Sequence, residues 1–534
     1  VFRRLSPPLA REKNRGVHYN VYCTQSTDTV SLIHASRDET LWTTSYATAR
    51  SADDGRRDSH RQNGRSDSHM AHYNDMREFL EELKKRGDLM VIDKKVSPVH
   101  EICAFTRKAS DMGGPALLFT NVEGYDMPVL SGLYGTRERV HLALGLGDDT
   151  KSVIKEYVAH ENKFIPPVTV GDDEAPVHEV VLTGDAVDLY KLPILTNFEK
   201  DLGPYITAGV QMANDPITGV RNSSMHRMLL LDKNHMTCFA PKGRHLGTII
   251  ERNEDNGKGT EIATVIGGDP IIAIASQCRP ALGTDEMGMA GGLRGEAVKM
   301  VKCKTIDVEV PATAEIVIEG RTLPGLREDD GPFGEYPGTY SEVRKAPVVE
   351  ITAITMRKDA IFQNAYTGMP MTENHWMMDL AATALAYREA YKICPDIHDI
   401  CLTSGGTSRH HCVVSIKKRH PYEPRNVMTA LLAANIGIKL CVVVDEDIDV
   451  HDMQQVEWAI NTRMQADRDV MILPVMYSPT LDPSAPYPRA SSKMGIDATA
   501  PLEDKEAFAP VFTPGQDAPY IEEMLRDFMD KRRK

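Results

Sequence analysis

The sequence predicts a multidomain α/β protein with a β-rich central segment between two α/β flanks. Three observations carry that prediction. The chain has 534 residues, enough for two or three domains with substantial cores. Helical periods and short apolar runs alternate over 70–175 and again over 359–505. Between them, over 176–358, short β-type runs are separated by Gly, Pro and Asp, the texture of a barrel or sandwich.

Each element has a local reason. Asp75 with Glu78 three residues on is an acidic capping box. Met76, Phe79, Leu80 and Leu83 then form one helical stripe that Gly87 ends. A strand at Leu89–Ile92, a helix from Val99 to Ser110, and strands at Ala116–Thr120 and Pro128–Ser131 complete the first flank. The central segment offers strands at Glu179–Leu182, Met228–Leu231, Ile271–Ala275, Glu315–Ile318 and Val349–Ile354. A helix follows over 373–395, with Trp376, Met377, Leu380, Ala384 and Tyr387 on one face. The second flank has an apolar strand Leu440–Val444, an acidic loop and a helix Asp452–Arg463. The tail, 506–534, holds an amphipathic helix over Tyr520–Lys534 whose apolar face suits a neighbouring subunit.

Composition excludes whole classes. A net charge of −14 opposes general nucleic-acid binding, which needs a basic face. No apolar run nears the roughly 20 residues of a membrane span. Nine cysteines without a CxxC pair suit reduced thiols in a cytoplasm. Residues 1–69 differ from the rest: 11 Lys and Arg stand against 8 Asp and Glu, without helical or strand period. They read as a disordered or spurious extension, with Met70 as the natural beginning.

Two constellations carry candidate chemistry. Asp330-Gly331-Pro332-Phe333-Gly334-Glu335-Tyr336 puts two acids on a turn-forming segment around the aromatic Phe333. Asn222, His245 and Glu286 stand in polar, glycine-containing contexts. An amide, an imidazole and a carboxylate suit Mn²⁺, Mg²⁺ or Fe²⁺ better than thiophilic zinc. On spacing alone these three also read as structural polar residues. Adjacent His410 and His411 read as structural, because neighbours in sequence rarely share one metal.

The run Asn222-Ser223-Ser224-Met225-His226-Arg227 is followed in order by Arg244-His245, Asp285-Glu286, Val301-Lys302-Cys303-Lys304-Thr305, Val310-Pro311-Ala312 and Gly331–Glu335. With Val442–Asp449 and Trp458–Arg463, this order resembles the UbiD family of decarboxylases over about 75–490. The resemblance implies a central split β-barrel binding prenylated FMN, and flanking α/β domains that build homodimers or homohexamers. It implies Asn222, His245 and Glu286 as ligands of a divalent metal on the flavin phosphate, with K⁺ nearby. Ser224, Met225, His226, Arg227, Arg244 and Ser276 fall at the flavin site. A UbiX-type prenyl-flavin synthase would supply the cofactor.

The same resemblance implies Arg227 as the catalytic arginine, whose fork can hold a substrate carboxylate. It implies Glu335 as the proton donor once the carbon has given its electrons to a covalent flavin adduct. Asp330 stands where members often have glutamate; one methylene shorter, it would need a small backbone shift to orient Arg227. Arg244 replaces a glutamine, and a late lysine near the flavin phosphate has no counterpart around Ala433. Met369, Met371 and His375, in a loop like that of members acting on hydroxybenzoates, become pocket candidates. The expected function is reversible decarboxylation of an aromatic or α,β-unsaturated acid. The alternatives are an aryl-CoA carboxylate as substrate, or a non-catalytic flavin-binding subunit of a larger carboxylase.

Overall fold

The first helix, Met76–Lys85, begins where the Asp75 side chain accepts a hydrogen bond from the Glu78 amide. Glu78 in return takes the Asn74 amide at 2.9 Å, so the two acids cap the helix reciprocally, one residue earlier than a strict box. The structure, a computed structural model, describes residues 73–147, 150–434, 437–477, 481–485, 490–516 and 518–533. The extension expected over 1–69, with the start expected at Met70, lies outside the described residues.

Leu89–Ile92, Ala116–Phe119 and Val129–Ser131 form a sheet whose fourth strand is Phe362–Gln363. That last strand returns from beyond the central segment, so the first flank is completed by residues expected in the second. The helix between the first two strands runs Glu101–Asp111.

The centre is a seven-stranded antiparallel sheet. Its order is His235–Thr237, Arg344–Met356, Ile316–Asp330, Glu261–Ile266, Val210–Asn214 and Arg221–Met225, with Val180–Thr183 on Arg344–Met356. The sheet is open among the described residues, not a closed barrel. Its longest pairing shifts register after Glu319 and after Thr322, bulges that twist the strand on its way to Asp330. Ile271–Ala275, expected as a strand, is instead the helix Pro270–Ala275. The Asp269 side chain accepts from the Ile271 amide and Pro270 opens the first turn, and this capping overrides β-branched propensity.

In the second flank, His411–Ile416, Leu440–Asp445 and Ala490–Ala498 run parallel, edged by antiparallel Ile397–Leu402 and Val470–Tyr477. The 19-residue helix Glu373–Tyr391 joins this flank to the rest. Its Glu373 carboxylate accepts the amides of Gly132, Tyr134 and Tyr366 at 2.8, 3.2 and 2.9 Å, so three otherwise unpaired backbone donors are satisfied at one buried point. One hydrophobic core runs from Met76 and Phe79 through Val265 and Met287 to Met377 and Leu380, crossing all three segments. No described helix is long and apolar enough to cross a membrane.

Candidate active site

Arg227 stands just past the edge strand Arg221–Met225, and the two acids of the segment 330–336 meet it. Its Nε donates to Asp330 Oδ1 at 2.7 Å, and its Nη2 lies 2.6 Å from the same oxygen. Its Nη1 donates to Glu335 Oε1. The guanidinium lies over the Phe239 ring at 4.3 Å and the Phe333 ring at 5.3 Å, so its faces are apolar and its edge is ionic. Asp330 is wholly buried at the end of Ile316–Asp330, and its Oδ2 accepts the Thr237 hydroxyl at 2.6 Å. The shorter acid therefore reaches Arg227 directly.

The loop after Asp330 is fixed on both sides. Gly331 has φ +91°, and a Cβ there would sit 2.8 Å from the Glu342 carbonyl, so only glycine fits. Its amide donates to the Tyr205 hydroxyl at 2.9 Å. Phe333 packs on Tyr205 with ring centres 4.6 Å apart, and the Gly334 amide donates to Asp201 at 3.0 Å. Phe333 is thus the anchor that lets Glu335 face the cavity. Burial pushes the Glu335 carboxyl above its usual range; Arg227 pulls it down and Asp330 pushes it up again.

The cavity holds about 660 Å³, room for a flavin mononucleotide and a small acid together. Asn222, Ser224, Met225, His226, Arg227, Arg244, His245, Ser276, Glu286 and Glu335 all line it. Asn222 Nδ2 donates to Glu286 Oε1 at 3.1 Å, the Ser223 amide donates to Oε2 at 2.8 Å, and His245 Nδ1 stands 3.9 Å from Oε1. His245 and Glu286 each open a helix, His245–Glu254 and Glu286–Arg294, so two positive helix ends face this corner. Glu286 is 2% exposed, and no Lys or Arg stands within ion-pairing distance of it among the described residues. A buried carboxylate beside an amide and an imidazole, without a cationic side chain, is a fitting cation site. Among the described residues no three His, Cys, Asp or Glu side chains converge on a metal position, so any such site uses the Asn222 amide.

The expected pocket loop is corrected. Met369 is 62% exposed, with its carbonyl on Arg107, and Met371 packs its sulfur 3.8 Å from Ser408 Oγ. His375 is fully buried: its Nδ1 accepts the Thr372 amide at 3.1 Å and its Nε2 donates to the Tyr336 carbonyl at 2.7 Å. Burial holds its pKa down at about 4, so it is a neutral clamp between the helix start and the loop of Glu335. None of the three lines the cavity; Thr367, Asn374 and Met378 from the same stretch do. Arg409, Tyr336 and Phe239 also line it, and the sequence gives no sign of their role. His410 and His411 turn to separate partners, the Gly437 carbonyl at 3.0 Å and Thr403 Oγ1 at 3.1 Å.

An open antiparallel sheet between α/β flanks, with an Arg–carboxylate cluster over a flavin-sized cavity, matches one enzyme family throughout. Residues 80–159, 168–370 and 375–498 match the N-terminal, Rift-related and C-terminal domains of 3-octaprenyl-4-hydroxybenzoate carboxy-lyase. The chain belongs to the UbiD family of carboxy-lyases. It is 36% identical over 436 residues to the anhydromevalonate phosphate decarboxylase of Methanothermobacter thermautotrophicus, covering 81% of this chain and 98% of that one. Among solved structures it resembles the UbiD-class enzyme HmfF of Pelotomaculum thermopropionicum in complex with FMN, at 40% identity and TM-score 0.78, covering 83% of this chain and 98% of that one. It also resembles the vanillic acid decarboxylase of Sedimentibacter hydroxybenzoicus, at 30% identity and TM-score 0.76, covering 86% and 100%.

Proposed function

We propose that this protein is a reversible, non-oxidative decarboxylase of acids whose carboxyl-bearing carbon belongs to a C=C bond or an aromatic ring, with prenylated FMN as cofactor. The observation that carries this is one arginine held by a buried aspartate while a glutamate of raised pKa faces the same cavity. HmfF is described with FMN and in an evolved dimeric form with prenylated FMN. The cavity volume and the cation-seeking corner at Glu286 suit such a cofactor and its phosphate. Bound there, prenylated FMN would supply the electron sink for the carbon that loses CO₂.

The chain's own residues do the rest. Arg227, held at its Nε and Nη2 by Asp330, offers the substrate carboxylate its Nη1, in exchange with Glu335. Phe239 and Phe333 exclude water from its faces. Glu335, whose carboxyl burial pushes above its usual range, delivers a proton from its Oε to the carbon after CO₂ leaves. Asn222, His245 and Glu286 would hold Mn²⁺, Mg²⁺ or Fe²⁺ against the cofactor phosphate. The open sheet and its small neighbours are, on this reading, the two parts of a split barrel. Met524, Leu525 and Phe528 of the tail helix Pro519–Arg533 are 69%, 59% and 61% exposed, an apolar face suited to a second copy in a homo-oligomer.

The test is protein loaded by a prenyl-flavin synthase and assayed for CO₂ release from conjugated acids. Glu335→Gln should lose about 100-fold or more of turnover while flavin absorbance survives gel filtration. Full activity in that variant would overturn the proton-donor role.

A further inference from the structure

Arg409, half-buried, differs from the buried arginines of this chain. Arg139 pairs with Asp88 at 2.8 Å, Arg221 with Asp285 at 2.8 Å, Arg357 with Asp75 at 2.8 Å and Arg463 with Asp445 at 3.0 Å. Arg409 has no carboxylate at ion-pairing distance among the described residues. Its Nη2 meets the Met378 sulfur at 2.9 Å, its guanidinium lies 5.2 Å from the Tyr336 ring centre, and its Nε is buried without a hydrogen-bond partner. A guanidinium stays charged in proteins, so one set half-buried in a cavity wall without a carboxylate partner suits an anion that enters the cavity.

The backbone presents this side chain under strain. Thr407 and Ser408, the two residues before it, both lie in the left-handed region at φ +60° and +51° without being glycine. Amides of 407, 408 and 409 donate to the carbonyls of Ser404, Thr403 and Gly406 at 2.9, 3.0 and 3.1 Å, which fixes the turn. The result places Arg409 in the wall of the cavity that Arg227 and Glu335 line, stacked on the residue that follows Glu335. Burial, with Arg244 nearby, draws its pKa below the usual value, whereas the acids around Arg227 outweigh burial and raise that one.

We propose that Arg409 receives a second anionic group of the substrate, a phosphate or a second carboxylate, while Arg227 takes the carboxylate that departs. The inference rests on the decarboxylase reading and narrows its substrate class to conjugated acids that carry a further acidic group. A guanidinium in the cavity wall with no carboxylate partner favours the charge-assisted contact that both groups offer. Arg409 is thus a specificity residue in the cavity wall, and Arg227 serves the carboxylate that departs.

The test uses flavin-loaded protein and three saturated probes of equal length that cannot react: pentanoate, glutarate and 4-phosphonobutyrate. Calorimetry should show glutarate or 4-phosphonobutyrate binding at least about tenfold more tightly than pentanoate, and the preferred probe names the group. Arg409→Met should erase that preference and leave pentanoate affinity unchanged, and Arg409→Lys should restore part of it. With reactive acids the Met variant should raise KM for diacids far more than it lowers kcat. Equal binding of all three probes by the unmodified protein would overturn the proposal. So would loss of flavin absorbance from Arg409→Met after gel filtration, which would assign the residue to the cofactor phosphate. These probes bind without turnover, so a preference for the dianions with no CO₂ from any conjugated acid would sink the decarboxylase reading alone.

Discussion

Replacing Asp330 by Asn removes a charge and almost no volume, so it isolates what that charge does. The carboxylate is wholly buried and takes two contacts from Arg227, at 2.7 and 2.6 Å, on one oxygen and the Thr237 hydroxyl at 2.6 Å on the other. Stripping a buried guanidinium of its only partner costs about 3–5 kcal/mol; here Glu335 still pairs with it, so the expected loss is about 2–3 kcal/mol. Turnover should fall by about 30- to 140-fold, since each 1.4 kcal/mol of lost orientation is about tenfold in rate. The pH dependence has a definite sign. Asp330 raises the Glu335 pKa and Arg227 lowers it. Without Asp330 the raising charge is gone and Arg227 turns wholly to Glu335, so both changes lower that pKa. In the proposed role Glu335 acts protonated, so the alkaline limb of kcat should move to lower pH. The assay is CO₂ release across pH with flavin content matched, beside urea melts of both proteins. Asp330→Glu keeps the charge and should leave the limb in place, at about 1–3 kcal/mol for overpacking. An Asn variant whose limb stays put or rises would refute the coupling.

Two further outcomes rest on buried groups outside the reacting pair. His375 titrates at about 4 when folded against an ordinary 6.5, so its contribution is complete above 6.5 and is lost as pH falls towards 4, by about 3 kcal/mol. His375→Gln can keep both hydrogen bonds, and its melting temperature should therefore fall less than that of the unmodified protein between about pH 7 and pH 4.5. Asp379 behaves oppositely: burial lifts it from 3.8 to about 6, so the folded state holds its proton more tightly and stability declines as pH rises through that window. Asp379→Asn should be the more stable protein at about pH 7.5, by up to about 3 kcal/mol, and should show no advantage at about pH 4, as read by thermal melts.

Elements whose signals are local were legible in the sequence. The Asp75–Glu78 cap, the strand Leu440–Asp445 and the helix after Asp452 stand where expected, because capping and apolar runs act over a few residues. Ile271–Ala275 misled because its composition is β-like, while the deciding residues, Asp269 and Pro270, lie just before it. The open edge of the central sheet and the return of Phe362–Gln363 to the first sheet depend on long-range pairing that no local pattern carries. The same holds at the site. The family order pointed to ten residues that line one cavity, but His375 sits behind the wall, since a polar residue at a helix start can cap as readily as face a ligand. Arg409 gave no signal beside two histidines, because an unpaired charge is visible only once its surroundings are known.

Asp330 in place of the usual glutamate reads, in sequence, as the weak point of the site. A shorter acid has fewer rotamers to lose, and a fully buried strand end with Thr237 on its second oxygen fixes it at little entropic cost. That fixed acid also sets the order of events at the arginine. Arg227 gives its Nε and Nη2 to Asp330 and its Nη1 to Glu335. A substrate carboxylate arriving at that guanidinium therefore competes with Glu335, because Asp330 is out of reach behind the arginine. Protonated Glu335 yields Nη1 more readily than ionised Glu335 does, since a neutral carboxyl binds the guanidinium less strongly. On the proposed mechanism, substrate binding then selects the form of Glu335 that already carries the proton it must later deliver, so one exchange at Arg227 both seats the acid and arms the donor.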